Sequence, residues 1–306
     1  MRRGLIARAL RRGLIALALR RGLIALALVG VASVCDAGIA TPVGPISKAE
    51  RLILWNSLAI MLTVVVPTII AILLFAWRYR ATNTKARYRP DWAFSGRLEL
   101  ITWSIPTLIV IFLGGVIWTG SHDLDPARAR AEHPLEIQVV SLDWKWLFIY
   151  PQQGIASVNE LVLPQGVPVR LSLTSASVMN QFFVPRLGGM IATMNRMVTH
   201  LNIQADEPGV FYGQSAQFSG DGFSDMHFDV HSVGRAEFDR WAAAARRAGP
   251  ALDRSSYTQL ARQSRGVAPF TYRSAEPNLF AAIVSHAVPP GPGPVPSPRE
   301  KAEDVR

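Results

Sequence analysis

Two long apolar runs constrain the fold of this chain more than any other feature. They cover residues 52–77 and 98–118, and each is longer than the roughly 20 residues that a helix needs to cross a bilayer. Tryptophans lie towards the ends of both runs, where aromatic side chains anchor a helix in the membrane interface. Each run contains one proline, which membrane helices tolerate. The sequence therefore predicts two transmembrane helices rather than the core helices of a soluble protein.

The distribution of basic residues predicts the orientation of these helices. The formal net charge is +10, but residues 1–34 carry seven arginines and no acid, and residues 78–97 carry six basic residues and one aspartate. Subtracting +7 and +5 leaves −2 for the rest of the chain, which argues against a nucleic-acid-binding face. By the positive-inside rule, the 78–97 loop is cytoplasmic. We thus expect a multi-pass protein of the bacterial inner (plasma) membrane with its C-terminal domain in the periplasm.

The first residues have the layout of a secretory signal. Residues 2–28 are three near-identical nine-residue repeats, and the last repeat places arginines before an apolar segment and small residues. We predict that residues 1–34 are a signal peptide and that 35–51 form a periplasmic N-terminal segment. Cys35, the only cysteine, follows the signal as the acylated cysteine of a lipoprotein does. Lipidation at Cys35 is one interpretation, and an incidental cysteine after an ordinary signal or anchor is the other.

Downstream of the second run, the pattern changes to short alternating segments separated by turn residues. Such spacing favours a β-sandwich or barrel, which we place at 134–248 and which ends in a short helix at 237–247. Residues 249–287 are poorly periodic and form a separate C-terminal arm, and 288–306 are predicted to be a disordered proline-rich tail. The predicted strands are Leu135–Ser141, Trp144–Tyr150, Glu160–Leu163, Val167–Leu173, Phe182–Val184, Val198–Ile203, Gly209–Tyr212 and Met226–Val230.

Three motifs carry a resemblance to a known family. They are residues 143–146 (DWKW), 180–188 (NQFFVPRLG) and 205–220 (ADEPGVFYGQSAQFSG). In this order they resemble subunit II of the haem-copper oxidases, of the cytochrome o ubiquinol oxidase type. The resemblance implies a two-helix transmembrane hairpin plus an all-β cupredoxin-like (Greek-key sandwich or barrel) periplasmic domain, followed by the arm of the quinol oxidase branch. We interpret Trp144 and Trp146 as packing residues, because large aromatic side chains dominate protein cores.

The stretch 215–226, SAQFSGDGFSDM, keeps the spacing of a copper-binding loop without its ligands. In copper-bearing members of the family the loop reads Cys-x-Glu-x-Cys-Gly-x-x-His-x-x-Met and holds two copper ions. Soft thiolates suit copper, whereas serine hydroxyls stay protonated near neutral pH. We therefore predict no metal and no cofactor in this chain. The resemblance places vestigial copper-site positions at Asn180, Ser215, Gln217, Ser219, Phe223 and Met226.

Other histidines do not replace the missing ligands. His227 and His231 are four residues apart, which in a strand is about 13 Å, too far for both to bind one ion. We interpret both as surface residues. No arrangement of a nucleophile with a base can be argued either, so we predict no catalytic centre.

The resemblance implies a non-catalytic subunit of a respiratory complex. The expected complex is a proton-pumping ubiquinol oxidase, an oxidoreductase that couples quinol oxidation to the reduction of oxygen to water. Its haems and copper are expected in the large subunit (subunit I), and the other expected partners are smaller membrane subunits, membrane lipid and ubiquinol bound by the complex. Two alternatives stay open: a copper-bearing cytochrome c oxidase subunit II, and a free membrane-anchored, ligand-binding lipoprotein.

Glu99 lies at the predicted cytoplasmic edge of the second run. The residues alone favour an interfacial charge stabilised by the helix N-terminus. The resemblance matches Glu99 to the subunit II acid near the mouth of a proton-uptake channel, and so predicts a proton entry point here.

Overall fold

Two long helices lead into the rest of the molecule. The computed structural model describes residues 38–87, 91–126 and 132–293. Helix α1 spans Pro45–Arg78 and helix α2 spans Gly96–Asp123. Both are long and apolar enough to cross a membrane, and the most apolar window of each has no side chain buried within the chain. These features are those of a membrane protein.

Both helices extend beyond the apolar runs that predict them. Helix α1 begins with Pro45, whose fixed φ suits the first helical position. The hydroxyl of Ser47 accepts a hydrogen bond of 3.1 Å from the backbone N–H of Gly44 and so holds the chain at the helix entry. The polar first turns of α1 are therefore helical although they lie outside the apolar run.

Thirteen strands follow within the described residues. They are β1 Leu135–Leu142, β2 Lys145–Tyr150, β3 Ile155–Val158, β4 Glu160–Pro164, β5 Val169–Ser175, β6 Asn180–Phe183, β7 Met190–Thr193, β8 Thr199–Ile203, β9 Gly209–Ser215, β10 His227–Val233, β11 Ala251–Leu252, β12 Phe270–Tyr272 and β13 Ser274–Ala275.

Most of these strands form two sheets that pack face to face. One sheet has the order β12-β3-β2-β1-β5-β8 and the other the order β4-β10-β9-β6-β7. The pairs β1–β5 and β4–β10 are parallel, so the chain crosses between sheets before it returns. Trp146 of the first sheet meets Phe182 and Phe228 of the second at ring-centroid distances of 5.4 and 5.6 Å. The predicted all-β domain is confirmed, and its core lies between the sheets.

The structure differs from the predicted strands at several points. Strands β3 and β7 were not predicted, and each has only four residues. Trp144 was predicted to begin a strand but lies in the β1–β2 turn with a φ of 63°. The predictions for β6 and β9 missed their ends at Asn180 and Ser215, because both residues are polar although they are buried.

The C-terminal arm covers the outer face of the larger sheet. Helix α3 (Arg235–Arg247) is followed by α4 (Arg254–Leu260), α5 (Leu279–Val284) and strands β11–β13. Tyr257 and Phe280 of the arm belong to one apolar cluster with Leu147 and Ile149 of the sheet. All six residues of β2 are therefore buried, one face by the sandwich core and the other by the arm.

The prediction of a disordered tail from residue 288 is wrong for its first six residues. Val288 is buried in the apolar cluster of the arm. The N–H of Gly291 donates to the carbonyl of Ala176 at 2.9 Å, and the N–H of Gly293 donates to Asp143 Oδ2 at 3.0 Å. A strap of residues 288–293 is thus tied back onto the β-domain, and the remainder of the predicted tail lies outside the described residues.

The start of α1 is part of the β-domain's contact surface. Glu50 Oε1 accepts a hydrogen bond of 2.9 Å from the N–H of Gly189. Lys48 pairs with Asp206 at 2.8 Å, and this ammonium holds the pKa of Asp206 below its usual range. Val43 is buried in the sandwich core just before the helix. The first turns of the helix and the residue just before it are therefore held against the β-domain.

Candidate functional site

The loop after β9 closes around small polar side chains. The Ser215 hydroxyl lies 3.1 Å from Asn180 Oδ1, and the backbone N–H of Ser215 donates to the carbonyl of Met226 at 3.1 Å. The Ser219 hydroxyl lies 3.9 Å from Met226 Sδ. All four side chains are buried. The structure therefore brings Asn180, Ser215, Ser219 and Met226 into one pocket, although Asn180 is 35 residues from Ser215 in the sequence.

Two further positions predicted from the spacing lie at the margin of this pocket. The carbonyl of Gln217 accepts a hydrogen bond of 3.2 Å from the Ser215 hydroxyl, while the Gln217 side chain is half-buried. Phe223 lies in a 3₁₀ turn, Phe223–Asp225, and its ring packs against Phe218 at 5.7 Å. Phe223 is half-buried and Phe218 is exposed, so this pair forms an apolar outer wall of the loop.

Trp144 is a residue of the site that the sequence did not identify as such. Its indole N–H donates to the carbonyl of Ser219 at 3.0 Å. A Cβ on Gly222 would lie 2.3 Å from the same indole ring, so the loop backbone rests directly on Trp144. Arg265 covers the indole at 5.2 Å and also lies 3.4 Å from Asp221. Trp144 is thus a packing residue, as predicted, and it also positions the loop. This second role depends on contacts between residues far apart in the sequence, so the sequence did not indicate it.

The neighbouring motif residues tie the loop region to the arm. Lys145 is 1% exposed, and its ammonium donates to the carbonyl of Arg262 at 2.7 Å and to the Ser264 hydroxyl at 2.6 Å. Burial lowers the pKa of Lys145 to about 8, and the nearby charge of Asp143 only partly opposes this shift. Trp146 is fully buried between aromatic rings of the two sheets, as expected for a packing residue.

The side-chain atoms of the pocket that could bind a metal ion all belong to neutral groups. They are two hydroxyls, one amide and one thioether; a thioether is a weak ligand, and hydroxyls do not deprotonate near neutral pH. Across residues 38–87, 91–126 and 132–293, no three His, Cys, Asp or Glu side chains are grouped closely enough to hold a metal ion. The arrangement supplies hydrogen bonds and packing, and offers neither a nucleophile paired with a base nor a thiolate.

The two histidines of β10 take separate surface partners. His227 is exposed and stacks on Tyr212 with ring centroids 5.8 Å apart. His231 Nε2 lies 3.6 Å from Glu160 Oε1. Both side chains lie on the outer face of the smaller sheet, in agreement with the interpretation as surface residues.

Glu99 and Cys35 lie far from this pocket in the chain. Glu99 is in the first turn of α2, and its Oε2 accepts a hydrogen bond of 3.3 Å from the indole N–H of Trp103. Its side chain is exposed, on a helix that is itself exposed along its length. Cys35, the predicted lipidation site, lies outside the described residues.

Comparison with known proteins places this geometry in a family. Residues 136–233 match the model of the cytochrome c oxidase subunit II periplasmic domain, and residues 246–291 match the COX aromatic rich motif. The first match covers the cupredoxin-like sandwich and its loop. The second covers the arm and most of the strap.

Relatives align over most of the chain. The cytochrome bo(3) ubiquinol oxidase subunit 2 of Pseudomonas aeruginosa is 44% identical over 82% of this chain and 76% of its own length. The ubiquinol oxidase subunit 2 of Acetobacter aceti is 43% identical over 82% of this chain and 83% of its own length. The quinol oxidase subunit 2 of Bacillus cereus is 38% identical over 74% of this chain and 79% of its own length. At this identity and coverage, the chain belongs to the family of ubiquinol oxidase subunits 2.

Proposed function

We propose that this chain is the non-catalytic subunit 2 of a proton-pumping ubiquinol oxidase and that it carries no copper of its own. The observation that carries the proposal is the neutral pocket of Asn180, Ser215, Ser219 and Met226 at the copper-loop spacing. A loop with these side chains cannot pass electrons on from cytochrome c, because none of its groups changes oxidation state. The electrons then come from ubiquinol, which is oxidised in the large subunit.

The proposed location is the bacterial inner membrane, with both helices crossing it and the β-domain in the periplasm. Helix α1 has 34 residues, which corresponds to about 51 Å. Its first turns contact the β-domain through Glu50 and Lys48, and its last turn ends at Arg78 beside the basic loop. The β-domain and the basic loop are therefore at opposite ends of α1, as a periplasmic domain and a cytoplasmic loop require.

The proposed partners follow from the surfaces that the helices leave open. The apolar side chains of α1 and α2 are exposed along both helices, so lipid and the helices of other subunits can cover them. We assign the haem-bearing large subunit and smaller membrane subunits to this role. Glu99, on the basic-loop end of α2, is the proposed entry point for protons taken up towards the large subunit.

Purification of the intact complex in mild detergent tests this proposal. We expect a haem-bearing subunit to co-purify, with copper per haem no higher than the large subunit alone accounts for. Ubiquinol should support oxygen reduction, and reduced cytochrome c should not. Extra copper together with turnover on reduced cytochrome c would establish the copper-bearing alternative, and a solitary chain without haem would establish the free lipoprotein.

A further inference from the structure

The turn between the two membrane helices forms an open cavity of about 790 Å³. Its walls come from the last turn of α1, the residues that follow it, and the first turn of α2. We call this cavity the turn pocket. The lining residues on which its chemistry depends are Arg78, Arg80, Arg87, Phe75, Tyr79 and Trp92.

The turn pocket is cationic. Three of its lining residues are arginines and none is acidic. Within the described part of the chain, no carboxylate lies within 4.0 Å of any of the three guanidinium groups. Arg80 is held in place because it donates to the carbonyl of Trp77 at 3.0 Å and to the Thr82 hydroxyl at 3.1 Å. Guanidinium groups that line one cavity and have no carboxylate partner favour an anion, and a phosphate fits their forked donors.

The same cavity has an aromatic side. The rings of Phe75 and Tyr79 are stacked with centroids 6.1 Å apart, and Trp92 is 57% exposed. A free phosphate ion would pair with the arginines and leave these rings in water. A molecule with a phosphate at one end and apolar atoms at the other would cover both sides of the pocket.

The position of the cavity along α1 matches the depth of a lipid headgroup. From Leu52 to Trp77 the helix covers 26 residues, or about 39 Å, which exceeds the hydrocarbon thickness of about 30 Å. Arg78 therefore leaves the apolar core at the level where phospholipid phosphates lie. Basic pockets between membrane helices on the cytoplasmic side are suited to anionic headgroups.

We propose that the turn pocket binds one anionic phospholipid, such as phosphatidylglycerol. The phosphate lies between Arg78, Arg80 and Arg87, and the glycerol and first acyl carbons lie on Phe75, Tyr79 and Trp92. This site goes beyond the proposed oxidase role. It depends on the insertion of the two helices and not on the identity of the electron donor.

Photo-crosslinking in the purified complex tests the site. A photoreactive phosphatidylglycerol is added to complexes that contain wild-type chain, the double variant Arg78→Gln/Arg87→Gln, or the double variant Lys85→Gln/Arg97→Gln. The Lys85→Gln/Arg97→Gln variant is the matched control, since it removes the same charge from residues 78–97 at positions that do not line the pocket. Labelling of residues 75–98 is quantified by peptide mass spectrometry. Parallel samples contain photoreactive phosphatidylcholine, or phosphatidylglycerol with an excess of inorganic phosphate.

We expect phosphatidylglycerol to label the wild-type and control complexes and labelling to fall about tenfold in the pocket variant, because only that variant removes two of the three guanidinium groups that pair with the phosphate. Inorganic phosphate should not displace the lipid.

The proposal is overturned by equal loss of labelling in the control variant, by equal labelling with phosphatidylcholine, by displacement with inorganic phosphate, or by no labelling of the wild type. If the pocket variant does not assemble, the comparison of phosphatidylglycerol with phosphatidylcholine and with added inorganic phosphate in the wild-type complex decides. A change in the preferred electron donor would contradict the oxidase role and leave this labelling unaffected.

Discussion

At the scale of single residues, buried polar side chains do more than fill the core. Lys145 is enclosed and directs its ammonium at two acceptors of the arm, whereas the Ser215 hydroxyl at the end of β9 donates to Asn180 at the start of β6. A buried charge is costly unless it is hydrogen-bonded, so each of these groups fixes the geometry of its neighbours. The loop positions could be predicted from their spacing, but the partner of Lys145 could not, because it lies 117 residues further along the chain.

The lowered pKa of Lys145 predicts a pH dependence of the contact between the arm and the sheet. Its folded-state pKa of about 8 lies below the ordinary lysine value of 10.5, so between these values the unfolded chain binds more protons than the folded chain. Stability should therefore rise as the pH increases from about 8 towards 10. In Lys145→Met this rise should be absent. Hydrogen exchange of residues 250–288 in the purified complex measures it, and an identical pH profile in both proteins would contradict the assignment.

Glu99→Gln tests the proposed proton entry point. The amide keeps the size of the side chain and removes its proton affinity, so quinol oxidase turnover should slow by several-fold while the complex still assembles with full haem content. The matched control is Asp91→Asn, which neutralises the other acid in residues 78–99. Unchanged turnover and proton uptake in Glu99→Gln, or an equal loss in Asp91→Asn, would count against the role of Glu99.

At the scale of elements, short segments are where sequence and structure diverge. The two apolar runs predict α1 and α2 because a largely apolar run of more than 20 residues has few alternatives. Strands β3 and β7 have four residues each, too few for an alternating pattern to stand out. The arm's buried residues, such as Leu252, Tyr257 and Phe280, follow no period, since they come from several short elements that meet only on the sheet. The strap was missed because prolines and glycines predict disorder, although here backbone hydrogen bonds hold it.

Gly222→Ala tests whether the copper-loop segment is shaped by Trp144. The new Cβ would lie 2.3 Å from the indole ring, so either the loop or the ring must move, at a cost of about 1–3 kcal/mol. We expect faster hydrogen exchange in residues 215–226. Gly38→Ala is the control, because a Cβ there meets nothing within 4 Å. Unchanged exchange in Gly222→Ala would show that the loop does not depend on this contact.

At the scale of the whole molecule, a membrane hairpin and a β-sandwich share one junction. Gly188 and Gly189 have φ values of 83° and 73° and let the chain turn tightly against the start of α1. A Cβ on Gly188 would lie 2.8 Å from both Glu50 Oε2 and the backbone N of Ser47. The family resemblance predicts both the membrane hairpin and the β-sandwich. It does not predict their junction, because the junction depends on the close approach of two backbone segments, and no periodic sequence pattern indicates such an approach.

Gly188→Ala should weaken this junction. Alanine at a left-handed φ costs about 1–2 kcal/mol, and the close approach to α1 adds about 1–3 kcal/mol. Gly154→Ala is a matched control, because Gly154 has a φ of 68° but open space around it. Limited proteolysis of the purified complex should cleave residues 38–51 faster in Gly188→Ala than in Gly154→Ala. Equal rates in the two variants would contradict the proposed contact.

The contacts between Lys48, Glu50 and the β-domain have a consequence for how the molecule sits on the bilayer. Because the first turns of α1 are at once membrane helix and domain surface, no flexible linker separates the two at this point. The tilt of α1 in the lipid therefore sets which side of the sandwich faces the membrane and which faces water. A change in the tilt of the helix therefore changes the orientation of the β-domain by the same amount.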